Sequence, residues 1–420
     1  MKGSENLEQL TRSLVKSRFS EYYKKNVSAV APPRLMEQRE FGFLLFTEGV
    51  MLRHRSFKQV SSLRRFIETA NPSDVYYSAA YYMNPEAPMD KKGWVGSDLI
   101  FDIDADHINT ECKKRHDRWS CIECGASGSG ETPQNCPNCS GQKLREDAWM
   151  CHDCLEKAKD EVLRLIDLLN TDFGINLEKM TVNFSGNRGY HLHVDSEEVK
   201  SLGSEERKEI VDHITGTGLD IDLLGLHNLD GKLEVHSSPR PNEPSWRRRL
   251  YRMIEKMLLE TDREALKRMG LRRRTIETLI SLRSESDLTE NRRLLGLVEG
   301  IGKQTWQSII QKAVSLESVS IDTVVTTDIH RLIRLPETLN GKTGLRAMRV
   351  EIGGLPKFDP LREAIAFGNE ETVHIKDAPR FMIGGEEYGP FKDVDENLPT
   401  AAAVLLLCKG KAHPVIKQVV

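Results

Sequence analysis

Residues 98 to 106, DLIFDIDAD, alternate with a strand period, which puts Leu99, Phe101 and Ile103 on one face and Asp98, Ile100, Asp102, Asp104 and Asp106 on the other. Asp102 and Asp104 then stand about 7 Å apart at ~3.3 Å of rise per residue, too close for such a row of carboxylates to stay ionised without a cation. Hard oxygen donors of this kind suit Mg2+ or Mn2+, which complete their shells with water and substrate phosphates. The implied substrate is a nucleotide or phosphoester. A second Asp-Ile-Asp, at Asp220 and Asp222, lacks the apolar lead-in and reads as a loop.

The segment FSGNRGYHLHV supplies a hydroxyl at Ser185, backbone N–H groups at Gly186 and Gly189, a guanidinium at Arg188, and His191 and His193 on one strand face. Such a turn can cradle phosphate, although paired histidines also serve as metal ligands. Downstream, Arg331, Arg334 and Lys342 bring cations close to Asp322 and Asp328. Acids for metal and bases for phosphate are the pairing that phosphoryl transfer requires.

Seven of the eight cysteines fall between positions 112 and 154, six of them as Cys121-x-x-Cys124, Cys136-x-x-Cys139 and Cys151-x-x-Cys154, with Cys112 and His116 upstream. Eight ligands make two tetrahedral zinc sites with no position open for substrate, which points to structural metal. Chain order favours a nested arrangement, Cys121, Cys124, Cys136 and Cys139 inside and Cys112, His116, Cys151 and Cys154 outside, and leaves other pairings open. Cys408 lies in an apolar run and reads as core.

The elements that must position these groups follow from periodicity. Leu155, Ala158, Val162, Leu165, Ile166 and Leu169 form the stripe of an amphipathic helix that ends near Gly174 and packs on a sheet. Met180, Val182 and Phe184 alternate into the SGNRG turn, and HLHV resumes as a strand. Phe41 to Leu45 and Val50 to Arg55 read as a hairpin split by Thr47, Glu48 and Gly49. Residues 246–312 carry sixteen Lys or Arg against nine Asp or Glu, including Arg247 to Arg249 and Arg272 to Arg274, and read as a basic helical subdomain or a solvated helical surface.

A chain of 420 residues has room for two or three domains at roughly 150 residues each. Its net charge of −3 excludes a global basic field, so any polyanion site is local. With 39% hydrophobic and 29% charged residues it is globular. The opening MKGSENLEQLTRSLVKSRF has no apolar h-region, and AAAVLLL near the end is too short to span a bilayer, so a soluble, cytoplasmic protein with no membrane association is expected.

Taken together and in order, FDIDAD, the cysteine knuckle and helix, SGNRGYHLHV, IDTVVTTDIHRLIRLP and NGKTG resemble the catalytic small subunit of the archaeal and eukaryotic DNA primases, over nearly the whole chain. The resemblance implies an α/β (α+β) fold: a mixed-sheet primase core with an inserted zinc-binding module and a helical subdomain. It divides the chain into a core at 1–110, 155–200 and 315–420, a zinc insertion at 111–154, and a helical, partly basic subdomain at 201–314. It implies two metals, Mg2+ or Mn2+, held by Asp102, Asp104 and Asp322. Nucleotide phosphates would be bound by Ser185, Arg188 and His191, with Arg53, Arg334 and Lys342 lining the site. The family's knuckle maps to Cys112, His116, Cys151 and Cys154, leaving residues 117–150 as an inserted second ribbon. Asn187, arginine in some relatives, and Asn340, where histidine is common, depart from the pattern.

The implied activity is template-directed synthesis of short primers. A 3′-hydroxyl attacks the α-phosphate of a nucleoside triphosphate and pyrophosphate leaves. The implied partners are a large subunit carrying an iron-sulfur domain, in a heterodimer, together with single-stranded DNA template and other replication proteins; the expected location is the nucleoid. Asp322 is preferred to Asp328 as third carboxylate because it matches the family aspartate and stands at the start of a Val324-Val325 strand, whereas Asp328 reads as a first-turn acid of an IHRLIR helix. Two rival functions compete. A haloacid-dehalogenase-like phosphatase also presents Asp-x-Asp after an apolar strand, but expects Thr or Val where Asp106 stands; a zinc-ribbon nucleic-acid adaptor would carry its acids incidentally.

Overall fold

The computed structural model describes residues 2–46, 51–219, 226–229, 232–235, 243–259, 262–268, 270–284 and 303–415. Residues 47–50 of the expected hairpin turn, the Asp220 and Asp222 pair, and residues 285–302 of the basic segment lie outside them. The chain forms two compact units, Met1–Val162 with Leu177–Arg207 and Ile321–Val420, and Leu163–Asn176 with Lys208–Ser320. The cysteine segment belongs to the first unit, and the second takes in the end of the long 152–172 helix as well as the later helical segment.

Eight strands of the first unit matter for the site: β1 (Phe41–Leu44), β2 (Met51–Arg55), β3 (Asp74–Ser78), β4 (Leu99–Asp104), β5 (Met180–Phe184), β6 (Gly189–Val194), β7 (Leu332–Arg334) and β8 (Met348–Val350). They make two four-stranded sheets, ordered β7-β3-β1-β2 and β8-β5-β6-β4, with every pairing antiparallel. Leu99, Phe101 and Ile103 of β4 are buried, as their alternation requires, and so is Ile100 on the opposite face. The acidic face is therefore shorter than the alternation suggested. Asp98 precedes β4 and is bound by Arg39, and Asp106 follows it in the Ala105–His107 turn, leaving Asp102 and Asp104 as the acids of the strand itself.

The helix α1 (Lys2–Asn26) buries Val15, Phe19, Tyr22 and Tyr23, one stripe at i, i+4, i+7 and i+8. The helix α2 (His152–Asp172) buries Leu155, Ala158, Val162, Leu165, Ile166 and Leu169. The short helix α3 (Thr323–Thr327) replaces the strand expected at Val324-Val325; the preceding Asp322 caps its N-terminus, and Val324 is 66% exposed. The helix expected at IHRLIR is instead a turn leading into β7. The apolar AAAVLLL run forms α4 (Thr400–Cys408), buried on all sides through Leu407, with Cys408 partly buried at its end.

In the second unit, helices Ser245–Leu259, Arg263–Arg268, Arg273–Ser284 and Lys303–Glu317 bury Trp246, Leu250, Ile254, Leu279, Trp306 and Ile309 in one core. Arg249 is not a solvated cation: it is buried against Asp172 and Asp167. No helix among the described residues is long and apolar enough to cross a membrane.

Candidate active site and metal centres

Strand β4 is the edge of its sheet, and its pairing with β6 sets Asp102 opposite His191 and Asp104 opposite Gly189. Only glycine fits there, since a Cβ on residue 189 would lie 2.2 Å from the Ile103 carbonyl oxygen. The free edge is taken by the residue preceding α3: the Asp322 N–H donates to the Asp102 carbonyl at 2.8 Å, which carries the Asp322 side chain to the two strand carboxylates. Asp322 Oδ1 accepts from the N–H groups of Val324 and Val325 at 3.0 and 3.3 Å. This cap explains why the β-branched sequence TVVTT turns into a helix. Asp328, expected to start a helix, instead follows the end of α3 and accepts from the His330 N–H.

Electrostatics mark the same place. Burial, and then the neighbouring Asp104 and Asp322, push the Asp102 carboxyl up to about 7, against the opposing pull of Arg331. Burial also raises Asp104, while Arg188, His107, Lys342 and Lys113 oppose the rise. Three carboxylates whose mutual repulsion is only partly offset by cations form a centre that can hold divalent metal.

The glycine turn lies beside it, differently wired from the sequence expectation. The Ser185 hydroxyl accepts from the N–H groups of Asn187 and Gly189, so it shapes the turn. Arg188 is buried and ion-paired with Asp106. His191 is buried with Nε2 3.6 Å from Asp102 Oδ1; burial, His193, Arg334 and Arg331 hold its pKa well below the usual imidazole range, so the ring is neutral. His193 is also buried and stacks on Tyr77.

Opposite the turn, the NGKTG loop closes on it. Asn340 Nδ2 donates to the Ser185 carbonyl at 3.2 Å, and the Thr343 hydroxyl donates to the Gly186 carbonyl at 2.5 Å. Asn340 thus serves as a buried tie between the two loops. Gly186 has φ +75 and a Cβ there would press within 3.0 Å of Asn340, so the close approach requires glycine. Lys342 and Arg331 make no side-chain hydrogen bond or ion pair within 4 Å among the described residues, and both act on the acids through their charge.

Arg334 is held by Asp74 at 2.6 Å and by the Tyr76 hydroxyl at 3.0 Å. Arg53 is held by the fully buried Glu40 at 3.0 Å. Sequence reading named Arg331 among the cations but missed Glu40 and Asp74, the carboxylates that hold Arg53 and Arg334. Asp74 did leave a signal, because an acid opening the strand DVYYS is out of place on propensity alone.

The cysteines gather into Cys112, His116, Cys151 and Cys154, and Cys121, Cys124, Cys136 and Cys139, the ligand atoms of each group lying within 4.8 Å of one another. Sulfur separations of 3.2 Å for Cys112–Cys154 and 3.6 Å for both Cys121–Cys139 and Cys124–Cys136 suit a tetrahedron with metal–sulfur bonds near 2.3 Å. His116 turns Nε2 toward Cys154 at 3.3 Å and is oriented through Nδ1 by Asp117 at 2.7 Å, the outer partner a ligating imidazole uses. Both groups fit zinc. The first is largely buried and packs on Ala105, next to the acidic centre, while Cys124 and Cys139 of the second are exposed.

Over residues 133–352 the chain matches the family model described as DNA primase small subunit. It is 35% identical to the DNA primase small subunit of Methanothrix thermoacetophila over 429 residues, covering 97% of this chain and 100% of that protein. It is 32% identical to the one from Cenarchaeum symbiosum over 95% of this chain and 97% of the relative, and 34% identical to the one from Archaeoglobus fulgidus over 96% and 98%.

Proposed function

The chain belongs to the family of DNA primase small subunits and is a catalytic primase subunit, a DNA-directed nucleotidyltransferase; we propose that it joins nucleotides where Asp102, Asp104 and Asp322 converge. Membership implies a large-subunit partner and a DNA template. The observation that carries the siting is the Asp102 carboxyl lifted to about 7 by burial and by its two acidic neighbours, a cost that a divalent cation removes. Asp102, Asp104 and Asp322 would hold Mg2+ or Mn2+, which when bound supplies Lewis-acid stabilisation of the attacking and leaving oxygens.

The protein's own groups do the rest. Strand β4 and the Asp322 backbone bond fix the three carboxylates relative to one another. The 3′-hydroxyl of the growing strand gives its proton to water as its oxygen forms the new bond to the α-phosphorus, and the bond from that phosphorus to the pyrophosphate oxygen breaks, releasing pyrophosphate. Arg188 and Lys342 offset the negative charge of the triphosphate, and neutral His191 can donate one hydrogen bond without adding charge. Ser185 and Asn340 hold the turn that presents Arg188. Arg53 and Arg334, anchored by Glu40 and Asp74, would add positive charge for the nucleotide. The two cysteine groups hold structural zinc, and the protein works as a heterodimer with the large subunit, in the cytoplasm at the nucleoid.

Incorporation of labelled nucleotide on a single-stranded template by the purified complex tests the siting. Asp102→Asn should abolish it, and full activity would refute the assignment; release of free phosphate would instead favour the phosphatase. Metal analysis of folded chain prepared without chelator should find two zinc ions, and one or none would contradict the zinc assignment.

A further inference from the structure

Three arginines read from the sequence as nucleotide-binding, Arg53, Arg334 and Arg188, are each matched to a carboxylate, but the matches are not alike. Glu40, which holds Arg53, is fully buried and also accepts from the His54 N–H. Asp74, which holds Arg334, is buried and also accepts from the Gly341 N–H and the Ser73 hydroxyl. Neither carboxylate can move away without stranding other buried donors. At Arg188 the burial is reversed: its side chain is 8% exposed, whereas that of its partner Asp106 is 41% exposed.

Among the described residues the Asp106 carboxylate has no partner except Arg188. Its backbone is secured independently. The Asp106 N–H donates to Asp104 Oδ1 at 3.0 Å, and its carbonyl accepts from Lys113 Nζ at 2.8 Å, Lys113 being the residue after the zinc-group Cys112. The side chain can therefore turn into water while the turn that carries it stays in place.

We infer that Asp106 is a displaceable counter-ion, neutralising Arg188 while the site is free and yielding to the phosphates of the incoming nucleoside triphosphate. The inference rests on the reading of Arg188 as a nucleotide-binding residue. A buried guanidinium needs an anion at all times, because an unpaired buried charge is costly. An exposed carboxylate is the right kind of stand-in, since it recovers its hydration on release while the incoming phosphate takes over the guanidinium. The exchange also selects among ligands. A triphosphate carries enough charge to displace Asp106 and occupy Lys342 as well, whereas a monophosphate competes poorly for the same guanidinium.

The test compares wild type, Asp106→Asn, Arg188→Ala and the double variant, each in complex with the large subunit, by KM and kcat for nucleoside triphosphate and by inhibition with inorganic pyrophosphate. Asp106→Asn should lower both KM and the pyrophosphate inhibition constant by roughly three- to fivefold, the scale of one charge competitor that water reaches, with kcat little changed. Arg188→Ala should raise both by about tenfold or more, and the double variant should match Arg188→Ala, because without the arginine there is nothing to release. If Asp106→Asn raises KM or leaves it unchanged while Arg188→Ala raises it, Asp106 is a fixed positioning residue and the inference is overturned. If Arg188→Ala leaves KM unchanged, the nucleotide role of Arg188 fails first and the inference falls with it. Melting curves accompany each variant, and if Asp106→Asn does not fold, Asp106→Ser takes its place: a lowered KM supports the inference, and a raised or unchanged KM overturns it.

Discussion

Acidic side chains are treated in opposite ways at two places in the first unit. Asp98 is enclosed by Arg39 at 2.6 Å and by the Tyr81 hydroxyl at 2.5 Å, and Glu40 and Asp74 are likewise bound to arginine. Asp102, Asp104 and Asp322 instead face one another, and the nearby cations act on Asp102 and Asp104 without neutralising them. The first arrangement is architecture, because each charge is answered within the protein. The second leaves negative charge to be answered from outside, which is what a metal-dependent transferase needs.

Breaking the acidic side should give the largest effect. Asp322→Asn removes a carboxylate while asparagine keeps the helix cap, so synthesis should fall by ~10³-fold or more, about 4 kcal/mol in the transition state, in a protein that melts normally. Breaking the answered side should do the reverse. Arg39→Met strands Asp98 and should cost about 3–5 kcal/mol of stability, read as a lowered denaturant midpoint.

A pH series sharpens the contrast. The Asp102 carboxyl is raised by burial and its acidic neighbours from the ordinary 3.8 to about 7, so the folded state holds a proton that the unfolded chain has lost across that window. Its contribution to stability is present below pH 3.8 and disappears as pH rises through 7. Metal-free protein should therefore lose up to about 4 kcal/mol from this group between those limits, and added Mn2+ should restore the melting temperature most strongly above neutrality. An Mn2+ effect independent of pH would contradict this linkage. The smallest effect is expected at Asp328→Asn, which weakens one hydrogen bond to the His330 N–H and should shift stability by about 1 kcal/mol or less with synthesis intact.

How much of this was legible in the sequence depended on range. The strand ending in Asp102 and Asp104, the α2 stripe from Leu155 to Leu169 and the hairpin around SGNRG could be read because each is set by local periodicity. Asp322 was read as the start of a strand because Val324 and Val325 favour strands, and the cap that overrides this preference depends on a single side chain. The pairings Arg334–Asp74 and Arg53–Glu40 join residues 260 and 13 positions apart and follow no period, so the cations were visible but not what holds them. Arg188 was recognised as a cation at the turn, while its partner Asp106 was counted among the acids of the strand face.

The central claim, that the three facing carboxylates are the metal site of nucleotidyl transfer, is met most directly by Mn2+ titration of the zinc-loaded chain followed by electron paramagnetic resonance, with wild type set against Asp102→Asn. Wild type should bind Mn2+ more tightly when nucleoside triphosphate is present, and Asp102→Asn should lose that binding while keeping its zinc and melting no lower than metal-free wild type. Unchanged Mn2+ binding in Asp102→Asn would place the metal elsewhere and contradict the claim.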